Sequence, residues 1–177
     1  DDLLARITIT NRGPETAALD VLPTLWFRNT WSWGGAEARP ELHSRGEGAI
    51  GGSHPELGSL CLLAGRDPDG ALPELLFTDS ESNVQRLFGA PNATPWVKDA
   101  FHELVIHGRS EAVNPKQRGT KAAARYLLQL RSGASCELRL RLCLGQGLEA
   151  TQLGTSFART FDERRLEADE FYARRIP

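Results

Sequence analysis

The sequence lacks several features that would assign it to a function class at once. Its 177 residues contain no methionine, not even at position 1. Because a newly made chain starts with methionine, we expect a segment of a longer protein. No apolar run approaches the roughly 20 residues of a membrane span. The opening DDLLARITIT is acidic rather than basic, so it does not resemble a signal peptide.

The sequence also has no excess of positive charge and few cysteines. The formal net charge is −2, whereas binding to nucleic acid or to an anionic membrane needs a basic surface. We therefore expect neither as a partner. The cysteines are odd in number: Cys61, Cys136 and Cys143. We expect them to be isolated, buried or half-buried thiols in a reducing compartment, which favours the cytoplasm.

Period-2 alternation of apolar residues is the main signal that is present. Residues 3–10 and 19–28 alternate in this way. Pro23 lies inside the second run, which indicates an edge strand or a bulge. Weaker strands are expected at about 49–53, 59–64, 74–78 and 101–107.

The clearest prediction is a late hairpin. Residues 125–130 alternate, residues 132–135 form a turn, and CELRLRLCL follows at 136–144. This last run places four leucines on one face of a strand, namely Leu138, Leu140, Leu142 and Leu144. Many short strands joined by Gly- and Pro-rich turns predict a mainly β fold, an antiparallel β-sandwich.

One strong helix is predicted at the end of the chain, in SFARTFDERRLEADEFYARR. Thr160 and Glu163 fit a capping box. Apolar residues lie on one face of this helix, and Leu166 lies on the opposite face. The apolar face holds Phe157, Phe161, Ala168, Phe171 and Tyr172. This pattern fits a linker helix that docks onto a second domain. It fits equally well a helix that folds back on the sheet of its own domain. We divide the chain into a sandwich domain, 1–145, and a connector with the helix, 146–177.

Three motifs are weighed and set aside. His102 and His107 are one residue too far apart for H-E-x-x-H, and a strand would place their rings on opposite faces, so we expect no metal and no cofactor. GTKAAARY (119–126) lacks the glycine spacing of a phosphate loop, and Lys121 is either a useful cation or a solvated lysine. The carboxylates of DERRLEADE (162–170) read as a solvated helix face; glycoside hydrolysis needs two carboxyls across a sugar.

Two stretches concentrate aromatic and charged residues. The first, LWFRNTWSWGG (25–35), contains Arg28, Trp31 and Trp33. The second, the long irregular stretch 83–102, contains Trp96, Lys98, Asp99 and His102. Such residues can be core and rim packing of the sandwich itself. They can equally stack on sugar rings or pack against a neighbouring domain, and long loops often carry function.

These stretches also resemble a known family. RITITNRGPETAALDVLPTLWFRNTWSWGG, ELLFTDSESNVQRLFG, WVKDAFHELVIHG, AVNPKQRGTKAAARY and FDERRLEADEFYA look like a large bacterial protein of glycoside hydrolase family 63, the mannosyl-oligosaccharide glucosidase group. The resemblance implies an N-terminal supersandwich similar to galactose mutarotase, joined by a helical linker to a catalytic α/α toroid. The two catalytic acids lie in the toroid, so none is transferred to this chain.

The resemblance implies a non-catalytic domain that supports the toroid and walls part of its pocket. Candidate substrate or interface residues are Arg28, Trp31, Trp33, Trp96, Lys98, Asp99, His102 and Lys121. Burial of Trp31 and Trp33 in the domain's own core would contradict this assignment. The alternative is a stand-alone carbohydrate-binding module that uses Trp31, Trp33 and Trp96. A mutarotase-like epimerase is disfavoured because His102 and Glu103 would point apart in one strand.

Overall fold

The computed structural model describes residues 2–34, 38–145 and 150–175. The strands are β1 (Asp2–Thr10), β2 (Ala17–Val21), β3 (Thr24–Trp26), β4 (Glu41–Gly46), β5 (Ala49–His54), β6 (Gly58–Ala64), β7 (Glu74–Thr78), β8 (Arg118–Gly119), β9 (Lys121–Leu130) and β10 (Ser135–Leu144). The α-helices are α1 (Val84–Phe88), α2 (Ala100–His107) and α3 (Thr155–Ala173). Short 3-10 turns lie at Trp31–Trp33, Ser110–Ala112 and Ala150–Leu153.

Two antiparallel sheets form a β-sandwich. The first sheet has the order β1-β10-β6-β5-β4-β8. In the second, β9 pairs with β2 and β3 along one side and with β7 along the other. This confirms the predicted fold class, and the predicted strands at 3–10, 49–53, 59–64 and 74–78 are also present. Strands β4 and β8, helix α1 and the 3-10 turns were not predicted from the sequence.

Pro23 divides one edge strand into two. Val21 pairs with Tyr126, and Thr24 pairs with Ala123, so the register continues unchanged across the proline. Pro23 has no N–H to give, but its carbonyl accepts the Ala124 N–H at 3.0 Å. The edge position that the sequence predicted is therefore confirmed.

The core fills the space between the two sheets. Leu138 and Leu140 of β10 are buried there, opposite Tyr126 and Leu128 of β9, and Leu142 packs at its margin. The hairpin and its leucine face are confirmed up to Leu142. Leu144, at the end of the strand, is 55% exposed.

Helix α2 covers the outer face of the second sheet. Phe101 packs with Leu76 and Ala123, and Leu104 joins them. The predicted strand at 101–107 is therefore wrong. Phe101 and Leu104 are three residues apart, which is the spacing of one helical face, and Gly108 ends the helix in a left-handed conformation (φ 67°).

Helix α3 folds back onto the first sheet over its first two turns. Phe157 is fully buried, and the Arg139 guanidinium lies 5.5 Å from its ring. Arg6 lies 4.2 Å above the ring of Phe161. The helix begins at Thr155 after Gly154, which makes no side-chain cap, so the predicted capping box at Thr160 is wrong. Residues 146–149 of the predicted connector lie outside the described residues.

The three cysteines are free thiols. Cys136 lies in the core, whereas Cys61 and Cys143 are cross-strand partners on β6 and β10. The expectation of isolated thiols therefore needs correction for this pair. Burial, and then the neighbouring Cys61, raise the pKa of the Cys143 thiol, which keeps it protonated and weakly nucleophilic.

No helix among the described residues is long and apolar enough to cross a membrane.

Candidate functional site

The two aromatic stretches meet at one face of the molecule. We call this the loop face and define it by the segments 26–33 and 79–99 together with Lys121 at the start of β9. Asn29 links the two segments, since its amide donates to the Ser80 carbonyl at 3.4 Å. Lys121 links β9 to the second segment through the Lys98 carbonyl, 2.7 Å from its Nζ.

Trp31 and Trp33 belong to a single 3-10 turn rather than to a strand. With three residues per turn, side chains two positions apart point in different directions. Trp31 is accordingly half-buried, whereas Trp33 is 67% exposed. Neither lies in the core of the sandwich, so the outcome that would have contradicted an outward-facing role does not occur.

A charged network fixes the turn against the second segment. The Trp31 indole N–H donates to Glu81 Oε1 at 3.0 Å. Arg39 bridges Glu81 and Asp79, at 3.4 Å and 2.7 Å. Asp79 is buried and also accepts the Thr120 backbone N–H at 3.2 Å. The indole of Trp31 is therefore held in place and is not a free stacking platform.

Trp33 is the exposed aromatic of the turn. The Arg28 guanidinium lies 4.9 Å from its ring centroid, within the range of a cation–π contact. Both side chains face solvent. An exposed tryptophan with an adjacent guanidinium presents an apolar surface and a hydrogen-bonding group side by side, which suits a sugar or a protein partner.

Asp99 organises the second segment instead of pointing outward. Its carboxylate accepts both hydrogen bonds from the Asn83 amide, at 3.1 and 3.2 Å, and pairs with Arg86 at 3.2 Å. Asn83 in turn caps α1 by accepting the Arg86 N–H at 3.0 Å. Asn92 donates to Asn83 Oδ1 at 3.0 Å. The predicted irregular loop is thus an internally bonded unit.

Lys98 and Lys121 lie together beside a cavity of about 510 Å³. Lys98 Nζ also contacts Ser82 Oγ at 3.1 Å, and Lys121 Nζ lies 4.9 Å from the ring centroid of Phe101. Burial lowers the pKa of Lys121, and the like charge of Lys98 acts in the same direction, while Asp99 opposes both. Lys121 is a half-buried cation, not a fully solvated lysine.

Trp96 and His102 stand apart from the exposed tryptophan. Trp96 is half-buried and lines a separate groove of about 520 Å³ with Arg39, Asp79 and Arg118. His102 lies on α2, where its ring meets His107 edge-on at 5.8 Å. The expectation of opposite faces for these two rings fails because the segment is helical. Among the described residues, no three His, Cys, Asp or Glu side chains converge to hold a metal.

Sequence reasoning missed Arg39, Asp79, Ser80 and Glu81. The signal was the polar run DSES (79–82), which directly follows the buried strand β7. Polar residues at the end of a buried strand are placed at one edge of the sheet, where loops gather. Arg39 had no such signal, because its partners are some forty residues away.

Comparison with known proteins gives one informative match. No family model matches the chain, and no solved structure matches it. The chain is 32% identical over 206 aligned positions to a protein of Saccharomyces cerevisiae (strain ATCC 204508 / S288c) named "Uncharacterized protein YMR196W". The alignment covers 99% of this chain and 19% of the yeast protein, so the chain spans about a fifth of that relative's length.

Proposed function

We propose that this chain is a non-catalytic β-sandwich domain of a glycoside hydrolase, and that its loop face packs against a catalytic α/α toroid. The observation that carries the proposal is the exposed Trp33, 67% accessible, beside Arg28 on a turn that Trp31 ties to Glu81 by a hydrogen bond. Fixing an exposed tryptophan lowers the entropy lost when a partner binds. The resemblance to glycoside hydrolase family 63 supplies the partner.

Helix α3 supports the same arrangement. After Phe161 its apolar residues leave the sheet, and Leu166, Phe171 and Tyr172 are each more than half exposed. Apolar side chains of this size along one helix suit a second body. The yeast relative also has most of its length outside the aligned part, which leaves room for such a body there.

The acidic residues of the loop face support a structural role. Asp79 and Glu81 are paired with Arg39, and Asp99 is paired with Arg86. These carboxylates hold the loops together. An epimerase would need a histidine and a carboxylate converging in a concave sheet face. His102 and Glu103 lie on α2, outside the sandwich, and Glu103 pairs with Arg109 at 2.8 Å.

We assign the parent enzyme to α-linked glucosides and related sugars, and the domain to the cytoplasm. The substrate class rests on the resemblance alone. The compartment is supported by the three free thiols.

A stand-alone carbohydrate-binding module is the second candidate, favoured by the exposure of Trp33. Titration with gluco- and manno-oligosaccharides, followed by tryptophan fluorescence, separates the two. A supporting domain predicts a flat response up to millimolar neutral sugar. A saturable change that Trp33→Ala abolishes would establish the binding module instead.

The proposal also predicts a result in the longer protein. Trp33→Ala should lower hydrolysis of α-glucosides several-fold, because the loop face loses a contact with the toroid whose pocket it helps to enclose. Leu57→Ala, an equally simple truncation of an exposed residue in the β5–β6 turn, is the control and should leave the rate unchanged. Equal rates for both variants would contradict a role of the loop face in the enzyme.

A further inference from the structure

The cavity beside Lys98 and Lys121 has the composition of a small-ligand site. Its volume of about 510 Å³ lies within the range of roughly 300 to 1,000 Å³ that ligand pockets occupy. Trp26, Asn29 and Ser80 line it together with the two lysines. An aromatic wall with a few convergent polar groups is the usual pattern of such pockets.

The two ammonium groups give the cavity its charge. Lys121 Nζ has one hydrogen bond, to the Lys98 carbonyl, and Lys98 Nζ has one, to Ser82 Oγ. A lysine has three donors, so each keeps N–H groups for a ligand. The nearest acidic partner, Asp99, is already paired with Arg86 at 3.2 Å. The cavity is therefore cationic.

Ser80 forms part of the cavity wall, but its hydroxyl is enclosed. Its Oγ is buried and, alone among the buried side-chain polar atoms of the described residues, has no hydrogen-bond partner. Its backbone is fixed on both sides, since the N–H donates to Thr120 Oγ1 at 2.8 Å and the carbonyl accepts from Asn29. Because this Oγ is enclosed, a ligand in the cavity would meet the wall that Ser80 helps to form and not its hydroxyl.

Trp26 supplies the apolar wall. It is 60% exposed and pairs across the strands with Lys121, so the two side chains lie on the same outer face of the second sheet. Leu25 and Phe27, its neighbours in the chain, pack on the core. An exposed indole next to an ammonium offers one surface to a ring and one charge to an anionic substituent.

We propose that this cavity binds a sugar ring that carries an anionic group, a carboxylate or a phosphate. The ring lies on Trp26, and the anion meets Lys98 and Lys121. This inference rests on the cavity's own residues. These residues also belong to the loop face, but the binding is measured on this chain alone, so its outcome does not depend on whether a toroid docks there.

The test compares ligands that differ only in charge. The 177-residue chain is titrated by calorimetry with methyl glucuronide, glucose 6-phosphate and methyl glucoside at low salt. At least one anionic sugar should bind about tenfold more tightly than methyl glucoside, as one charge-assisted contact would give. The stronger of the two anionic ligands identifies carboxylate or phosphate as the preferred group. Binding should weaken at higher ionic strength.

Variants locate the site. Lys121→Gln should weaken binding of the preferred anionic sugar about tenfold. Lys116→Gln removes an exposed lysine outside the cavity and should change nothing. Trp26→Ala, at an exposed position, should weaken the anionic sugar but not free inorganic phosphate. Equal affinity for neutral and anionic sugars, no saturable binding, or an unchanged affinity in Lys121→Gln would overturn the proposal.

Discussion

At the residue scale, Glu81 is the side chain on which the loop face depends most. It accepts the Trp31 indole N–H and pairs with Arg39, and so joins two segments that lie some fifty residues apart in the chain. Glu81 is partly accessible and Arg39 is more so, which screens the ion pair. The hydrogen bond from a half-buried indole to a charged acceptor is therefore the stronger contribution.

We predict that Glu81→Ala lowers the free energy of unfolding by about 1 to 2 kcal/mol, since both the indole N–H and Arg39 lose a partner. The urea midpoint measures the change. Glu56→Ala, in an exposed turn, is the matched control and should cost less than about 0.5 kcal/mol. Equal midpoints for the two variants would show that Glu81 does not hold the turn.

Tyr126 gives a pH-dependent prediction. It is buried between the sheets, and its hydroxyl donates to the Gly65 carbonyl at 2.7 Å. Burial, and secondarily Asp67, raise the pKa of this phenol well above its usual value. A raised pKa in the folded state means that stability is fully present below the unfolded pKa, near 10, and falls as pH rises above it.

Tyr126→Phe should therefore flatten the loss of stability above about pH 10, where one such group contributes up to roughly 1.4 kcal/mol per pH unit. At neutral pH the same variant should lose about 1 kcal/mol, the net worth of one hydrogen bond. Urea unfolding at pH 7 to 11 gives both values. Tyr172→Phe, on the exposed part of α3, should follow the unmodified chain; a Tyr126→Phe curve that does the same would refute the assignment.

At the element scale, α3 is held to the sandwich by its first two turns. Phe157 is fully buried, and Phe161 stacks on it at 5.9 Å beneath Arg6. The carbonyls of Gln152 and Leu153 accept hydrogen bonds from Arg141 and Arg139, at 3.1 and 3.2 Å. These contacts anchor the turn that precedes the helix to the outer face of β10.

Phe157→Ala should destabilise the chain by about 3 to 5 kcal/mol, the usual cost of truncating a buried phenylalanine. Phe171→Ala, on the exposed part of the same helix, should cost under about 1 kcal/mol. Chemical unfolding followed by circular dichroism compares them. Similar losses in both would mean that α3 is not anchored through Phe157.

The elements differ in how far the sequence predicts them. The β9–β10 hairpin is predictable because its alternation is long and one face is buried against a second sheet. Helix α2 is not, because Val105 and Ile106 favour a strand locally, and only packing of Phe101 on the second sheet decides for the helix. Strand β4 has one buried leucine, Leu42, in six residues. This pattern is too weak to predict a strand from the sequence.

The loop face, too, is only partly predictable from the sequence. The sequence indicated Trp31, Trp33, Lys98 and Lys121 by residue type, and the last two do lie together. It could not place Trp31 beside Glu81 or Arg39 beside Asp79, since such contacts depend on the topology of the two sheets. Trp96 lines the groove beside Arg39 and Asp79 and not the cavity of the two lysines, and His102 lies on α2 beyond the loop face.

At the scale of the whole molecule, stability and the candidate binding surface lie in different parts of the sandwich. The core and the start of α3 provide the stability, and the loop face carries exposed aromatic and charged groups. Hydrophobic residues scattered singly are normal on protein surfaces. Here Trp26 and Trp33, both exposed, lie close in sequence on a face fixed by ion pairs, which favours a binding surface.

Hydrogen–deuterium exchange of this chain alone, and of the longer protein in which we place it, shows whether the loop face packs against a second domain. Docking of the toroid on the loop face predicts that amides in 28–33 and 79–99 exchange at least about tenfold more slowly in the longer protein. Amides of the turn at 66–71, away from that face, should exchange equally in both. Equal exchange of the loop face in the two proteins would mean that no toroid covers it.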